Sequence, residues 1–237
     1  MSLAVINDTF TGAAADVTSR AMDTGDFWSY DSSYTGGLTL DGSGNMKRSS
    51  AGVNAGMVYS QTQLDAAQTA HSQVQGGNPS NGNNSWTYLG ARWNSSSRSG
   101  YLLEWYQGAF FAADATITLY RVVNGTWTQV GLYTMAAAAS NSSPLSGELY
   151  LDVAGTGATV TVTVKWAGTT RITYSDTNAA RIVSPGSIIA GVYYDAGGNY
   201  VVTSRVWGDG TIYTPPVASM PPRPTVASYA TARASRW

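Results

Sequence analysis

The chain has 237 residues, enough for one large all-β domain or two small ones. Charged residues make up 11% of it against roughly 25% in an average globular protein. Lysine and glutamate are confined to Lys47, Lys165, Glu104 and Glu148, which argues against extensive exposed helix.

A formal net charge of −1 speaks against a protein that grips nucleic-acid phosphates. The absence of cysteine excludes disulfides, thiolate zinc sites and cysteine nucleophiles, and no apolar run approaches the ~20 residues of a bilayer-spanning helix. Glycine (26 residues), 15 Tyr and 8 Trp suit strands and turns, and an apolar content of 43% is enough for a core.

At the N-terminus, residues 1–8 lack a basic region and a long apolar stretch, so no secretory signal is expected. Turn clusters follow at Gly36-Gly37 and Asp41-Gly-Ser-Gly44. Residues 63–68 are expected to form a turn ahead of a strand that runs through Val74. His71, the sole histidine, sits among Gln, Ser and Thr and is expected at the surface. Another turn cluster falls at Gly76-Gly-Asn-Pro79.

Segments 86–93 and 101–106 form a predicted hairpin through the loop Asn94-Ser-Ser-Ser-Arg-Ser-Gly100. Ile117 and Leu119 alternate with Thr116, Thr118 and Tyr120, and Asn124-Gly125 then marks a second hairpin. Leu149, Leu151 and Val153 alternate with Tyr150 and Asp152. Val160, Val162, Val164 and Trp166 alternate with threonines and Lys165, the pattern of a half-buried strand.

A third hairpin is expected between 188–194 and 200–207, joined by Asp195-Ala-Gly-Gly-Asn199. About a dozen short strands with turns between them indicate a sandwich or barrel. The sequons at Asn7, Asn83, Asn94, Asn124 and Asn141 are read as chance in so Ser/Thr-rich a chain.

Composition changes near Thr214, so the chain divides into a β domain over 1–213 and an arm over 214–237. The arm holds Pro215, Pro216, Pro221, Pro222, Arg223, Tyr229, Arg233, Arg236 and Trp237 and no acid. Proline at this density favours an extended segment. Tyr229 and Trp237 suit an arm that orders against a neighbouring subunit.

The order of these segments resembles the concanavalin A-like lectin/glucanase superfamily, in particular its laminin-G-like branch. The resemblance is carried by Asn7-Asp-Thr-Phe10, Trp28, Gly37-Leu-Thr-Leu-Asp-Gly42, Tyr88-Leu-Gly-Ala-Arg92, Gly100-Tyr-Leu-Leu-Glu-Trp105, Ile117 through Trp127, Leu149-Tyr-Leu-Asp-Val, Val160 through Trp166, Asp176 and Pro185-Gly186 to Gly191. It covers roughly residues 5–210 and is a pattern of strands and turns. It implies an all-β fold, a two-sheet antiparallel jelly-roll sandwich, here with an extended C-terminal arm. It also implies sugar binding as a function class, and a calcium at the sandwich rim in some members.

Catalysis is not expected. The superfamily's hydrolases carry alternating acids on one strand, and retaining hydrolysis needs two carboxyls about 5 Å apart. Glu104 is followed by Trp-Tyr-Gln-Gly, and Glu148 and Asp152 are four residues apart in a strand, about 13 Å. No Gly-x-Ser-x-Gly elbow occurs, and Gly155-Thr-Gly precedes a strand rather than a helix.

No resident cofactor is expected, and weak calcium candidates are Asp195 with Asn199, Asp23 with Asp26, and Asp209. Trp86, Trp93, Tyr101, Tyr194, Asn199 and Tyr200 are the glycan-contact candidates, since aromatic rings cover the apolar faces of sugars and amides bind hydroxyls. Trp105, Trp166 and Trp207 are assigned to the core.

Two functional expectations follow. In the first, the chain is a non-enzymatic structural and adhesion protein on the surface of a tailed-phage virion, a decoration or fibre component. Its arm would anchor it to neighbouring subunits or other virion proteins in a homo-oligomer or larger assembly, with weak binding to a cell-surface glycan. In the second it is a stand-alone, extracellular, lectin-like carbohydrate-binding module of a bacterium. Neither involves nucleic acid or membrane insertion.

Overall fold

A computed structural model of the chain describes residues 5–35, 37–49, 56–75, 84–108, 115–135, 145–194 and 202–214. Within them the short opening strand β1 (Ile6–Asp8) leads through a 3-10 turn (Val17–Ser19) to β2 (Trp28–Thr35), β3 (Leu38–Leu40), β4 (Met46–Arg48) and β5 (Gly56–Ser60). The body of the sheets is β6 (Leu64–Gln75), β7 (Ser85–Asn94), β8 (Ser99–Gln107), β9 (Ala115–Val123), β10 (Thr126–Met135), β11 (Ser146–Ala154), β12 (Val160–Trp166) and β13 (Thr169–Asp176). The described strands end with β14 (Ser187–Tyr194) and β15 (Val202–Ile212).

All strand pairs are antiparallel and fall into two sheets. One runs β13-β12-β11-β6-β15-β4-β3 with β1 also on β15, and the other runs β10-β9-β8-β7-β14-β5-β2. The inward residues of both sheets form one core. Val160, Val162, Val164 and Trp166 face Leu89, Leu103, Trp105 and Ile117 across it, and Trp105 stacks on Trp166 at 5.5 Å between ring centres. Each fully buried Val or Leu contributes about 1.5–3 kcal/mol, so the alternating strands hold the layers together. The two-sheet jelly-roll sandwich expected from the sequence is the fold observed.

The Asn124-Gly125 hairpin is formed as expected. Both residues have positive φ, 50° and 77°, the geometry that matches a tight turn to the strand twist. The hairpin of β7 and β8 is also formed.

The hairpin expected between 188–194 and 200–207 is not. β14 lies between β7 and β5 in one sheet, whereas β15 pairs β6, β1 and β4 in the other. Alternation identifies both strands, but nothing in it says that their connection crosses between the layers. Residues 64–68 are not a turn either. Leu64, Ala66, Gln68 and Ala70 already point inward along β6, which is continuous from Leu64.

The polar groups inside are held in defined clusters. Asp8 accepts from Trp28 Nε1 at 2.8 Å and Phe10 N at 2.8 Å and pairs with Arg20. Asp176, fully buried, accepts from Tyr101 Oη at 2.8 Å and Arg121 Nη1 at 2.9 Å, which ties β13 to β8 and β9 across the core. Residues 215–237 lie outside the described residues.

Candidate functional site

The seven-stranded sheet carries a second layer of large side chains on the face turned away from the core. Period-2 alternation in β7, β8 and β9 sends Leu89, Leu103 and Ile117 inward and Trp86, Tyr88, Leu102, Glu104, Tyr120 and Val122 outward. β14 adds Tyr193, β5 adds Met57 and Tyr59, and β10 adds Trp127.

Glu104 lies at the centre, directly opposite Tyr88 of β7 and Thr118 of β9. Aromatic groups flank it on two sides. Trp127 meets Tyr120 at 5.1 Å, Tyr88 at 6.1 Å and Tyr34 at 6.2 Å. Trp86 meets Tyr193 at 4.8 Å and Tyr106 at 5.2 Å.

The second half of β2 closes part of this face. β2 pairs with β5 from Trp28 to Tyr30, and the register then shifts. Beyond the shift Asp31 accepts from Trp93 Nε1 at 2.8 Å, Ser33 from Arg98 Nη1 at 3.2 Å, and Tyr34 from Trp127 Nε1 at 3.1 Å. The strand therefore reaches the β7–β8 turn and the tip of the β9–β10 hairpin, and it covers Trp93. Beside it a cleft of about 260 Å³ is lined by Tyr30, Tyr59, Ser32, Ser95 and Ser96. The Trp86 side of the face carries Glu104 and Trp86 itself, both half-buried.

Electrostatics on this face follow from burial. Burial raises the Glu104 carboxyl above its usual range, and the hydroxyls of Tyr120 (3.4 Å) and Tyr88, which donate to it, partly offset the rise. The Tyr88 and Tyr120 phenols are raised in turn by burial and by the Glu104 charge. Glu104 is thus a pre-positioned acceptor between aromatic walls, the arrangement of a site that covers the apolar face of a ligand and binds a hydroxyl. Its neighbours on this face, Leu102, Tyr106, Tyr88 and Thr118, supply no second carboxyl to form the pair that retaining glycoside hydrolysis needs.

The sequence-derived candidates divide sharply. Trp86 is on the face and half-buried. Trp93 is also on it, but it is 1% exposed beneath β2 and offers no ring to a ligand. Tyr101 points into the core with no exposed surface, its hydroxyl bound to Asp176. The two share a hairpin yet face opposite sides because β7 is irregular near its end: Arg92, at φ 53°, turns inward, and Trp93 turns outward. Tyr194 ends β14, and Asp195, Asn199 and Tyr200 lie outside the described residues, as do the arm residues from Pro215 to Trp237.

Glu104, Tyr106, Tyr120, Trp127 and Tyr193 were missed. Alternation in β8 and β9 gave signal enough to put Glu104 and Tyr120 on one face, but not to show which face is outside.

Two other expectations need correction. Trp207 is not in the core. It is on the outer face of the eight-stranded sheet, stacked on His71 at 4.6 Å with Arg205 over it at 4.5 Å. His71 is not at the surface but 9% exposed. Its strand partners are Trp207 and Tyr150, and its Nδ1 lies 2.6 Å from Glu148 Oε1. Cross-strand partners, invisible along the sequence, bury it.

Asp23 accepts from Thr9 N at 2.9 Å and Thr9 Oγ1 at 2.7 Å, and Asp26 accepts from Thr62 N at 3.0 Å. Both therefore tie down local backbone. Asp209 lies 3.5 Å from His71 Nε2. Among the described residues no group of three or more His, Asp or Glu is placed to hold a metal ion.

The architecture is the concanavalin A-like jelly roll, a fold shared by carbohydrate-recognition domains and glycan hydrolases. A structure from work on endo-acting O-glycanases of human gut microbiota that initiate mucin breakdown matches with a TM-score of 0.56 and 9% identity, over 90% of this chain and 100% of that one. The metal-free carbohydrate recognition domain of Emp46p matches with a TM-score of 0.53 and 9% identity, over 78% and 89%. The β-glucanase of Bacillus licheniformis matches with a TM-score of 0.51 and 13% identity, over 84% and 98%. Likeness at these identities establishes the fold. Neither a scan of protein-family models nor a search of curated proteins finds a match.

Proposed function

We propose that the chain is a carbohydrate-binding domain that holds a glycan on the outer face of its seven-stranded sheet, without hydrolysing it. The observation that carries this reading is the Glu104 carboxyl set between the Trp86 and Trp127 aromatic groups on one face. Rings of this kind cover the C–H faces of sugars, and the carboxyl, already bonded to two phenols, accepts from a hydroxyl. The fold is also that of the carbohydrate recognition domain of Emp46p, and a ligand of this class implies a location outside a cell, on a secreted or particle-borne protein. The virion-anchoring role was read from the composition of the arm, and the described residues carry no observation that favours it over a free-standing module.

The test is a glycan array probed with the whole chain, the Trp86→Ala variant and the Glu104→Gln variant. Saturable binding to a glycan by the parent is expected, weakened by about tenfold or more in Trp86→Ala, since truncating an aromatic anchor costs more than about 1.4 kcal/mol. A blank array, or binding untouched by both variants, would overturn the proposal.

A further inference from the structure

The loop end of the sandwich holds a second cleft of different chemistry. It has a volume of about 160 Å³ and lies between the β7–β8 turn and the chain that enters β14, with Arg92, Asn94, Ser97, Ser99, Arg181 and Ser184 among its walls. No carboxylate among the described residues lines it, whereas two arginines do. Among the described residues the arginine ion pairs are those of Arg20 and Arg121, so neither arginine of the cleft has an acid within contact.

The two cations are fixed by neutral groups. Arg92 is fully buried, and its guanidinium donates to the carbonyls of Ala66 (2.6 Å), Ile182 (2.6 Å) and Gly155 (2.8 Å). Asp152 attracts it only from a distance, its own carboxylate being engaged by Thr69. Burial without a contacting acid pulls Arg92 down to about 10.

Arg181 is half-buried. Its Nε and Nη1 donate to Gly157 O at 2.7 Å and Asn178 O at 3.1 Å, which fixes the plane of the guanidinium, while its Nη2 has no partner among the described residues. The turn is also set in advance, with Ser97 N bonded to Asn94 Oδ1 at 2.9 Å. Fixed guanidiniums with no contacting carboxylate among the described residues, beside serine hydroxyls, suit a planar or tetrahedral oxyanion. The volume, on the order of five water molecules, admits such a group and part of one sugar ring.

We propose that this cleft binds a compact oxyanion, the sulfate or carboxylate group of an acidic sugar. Arg181 is its direct donor, and Arg92 is the buried positive charge beside it. The site is independent of the aromatic face: Ser95 and Ser96 of the same turn line the other cleft, with Tyr30 and Tyr59.

The experiment is thermal unfolding of the whole chain in sodium sulfate, in sodium glucuronate and in sodium chloride at matched ionic strength, with glucose as the neutral control. Sulfate at high concentration stabilises any folded protein by exclusion from its surface. The supporting result is therefore a saturable rise in Tm at millimolar sulfate or glucuronate, beyond that in chloride, which the parent shows and Arg181→Gln loses. The salt that gives it identifies the preferred oxyanion. Arg181→Gln is expected to weaken that response by roughly tenfold or more in concentration. Arg98→Gln, on the same turn but outside the cleft, should leave it within about twofold. Equal Tm values in all three salts, or an Arg181→Gln variant that responds like the parent, would overturn the proposal. Inorganic sulfate needs no aromatic platform, so failure here is distinct from failure of the carbohydrate reading.

Discussion

Removing the Asp176 carboxylate should cost the domain a large part of its stability, by a route that can be checked. Asp176 has no exposed surface and receives hydrogen bonds from Tyr101 Oη (2.8 Å), Arg121 Nη1 (2.9 Å), Asn178 N (3.1 Å) and Tyr174 Oη (3.3 Å). In Asp176→Ala the guanidinium of Arg121, about one-tenth exposed, is left without its acid. Stranding a buried charge costs about 3–5 kcal/mol. At about 2–4 °C per kcal/mol for a domain of this size, the expected fall in Tm is roughly 6–20 °C.

The second variant isolates the cause. In Asp176→Ala/Arg121→Met no charge is stranded. The remaining cost, which the single variant shares, is the lost acceptor of the buried Tyr101 hydroxyl, about 1–3 kcal/mol, and of the part-buried Asn178 N and Tyr174 hydroxyl. The double variant should therefore melt above Asp176→Ala. Circular dichroism melts of the parent, both single variants and the double variant complete the cycle. A double variant that melts at or below Asp176→Ala would refute the claim that the ion pair governs this part of the core.

Further outcomes are expected elsewhere. The raised Glu104 carboxyl keeps its proton to higher pH in the folded chain than in the unfolded one, so its contribution to stability is complete below the unfolded value and is lost as pH rises through the folded value. Glu104→Gln should flatten that part of the Tm-against-pH curve and raise Tm at neutral pH. Gly191→Ala would put a methyl group 2.4 Å from the Gly56 carbonyl oxygen and 2.6 Å from Met57 Cγ, forcing β14 from β5, and should cost about 1–3 kcal/mol in denaturant melts. A chain ending at Thr214 should fold with the melting profile of the parent, because β15 is already paired to β6 as far as Ile212 and Tyr213 N bonds Gln63 O at 2.9 Å. Loss of cooperative unfolding in that truncation would make the arm part of the core.

Much of the fold was legible because alternation and turn chemistry are local. Val160 through Trp166 read as one half-buried strand, and Asn124-Gly125 read as a hairpin, since each signal lies within a few residues. Partnership is not local, which is why β14 and β15 looked like a hairpin although they belong to different sheets. The candidate site was hidden for a related reason. Both faces of the seven-stranded sheet carry large aromatic and aliphatic groups, so alternation separates Trp105 from Glu104 without showing which side is covered. The inward turn of Arg92, a non-glycine residue at positive φ, cannot be read from its type, and nothing along the sequence shows that β2 covers Trp93. Of the candidates found on this face, Trp86 and Trp93, only Trp86 keeps a partly exposed ring.

The most direct test of glycan binding on the outer face is a two-dimensional NMR titration that follows the indole N–H signals of the tryptophans as an array-positive glycan is added. The Trp86 and Trp127 signals are expected to shift together along one saturable curve, while those of Trp105 and Trp166, stacked in the core, stay in place. Saturable binding that leaves Trp86 and Trp127 unmoved would put the ligand elsewhere and contradict the assignment of this face.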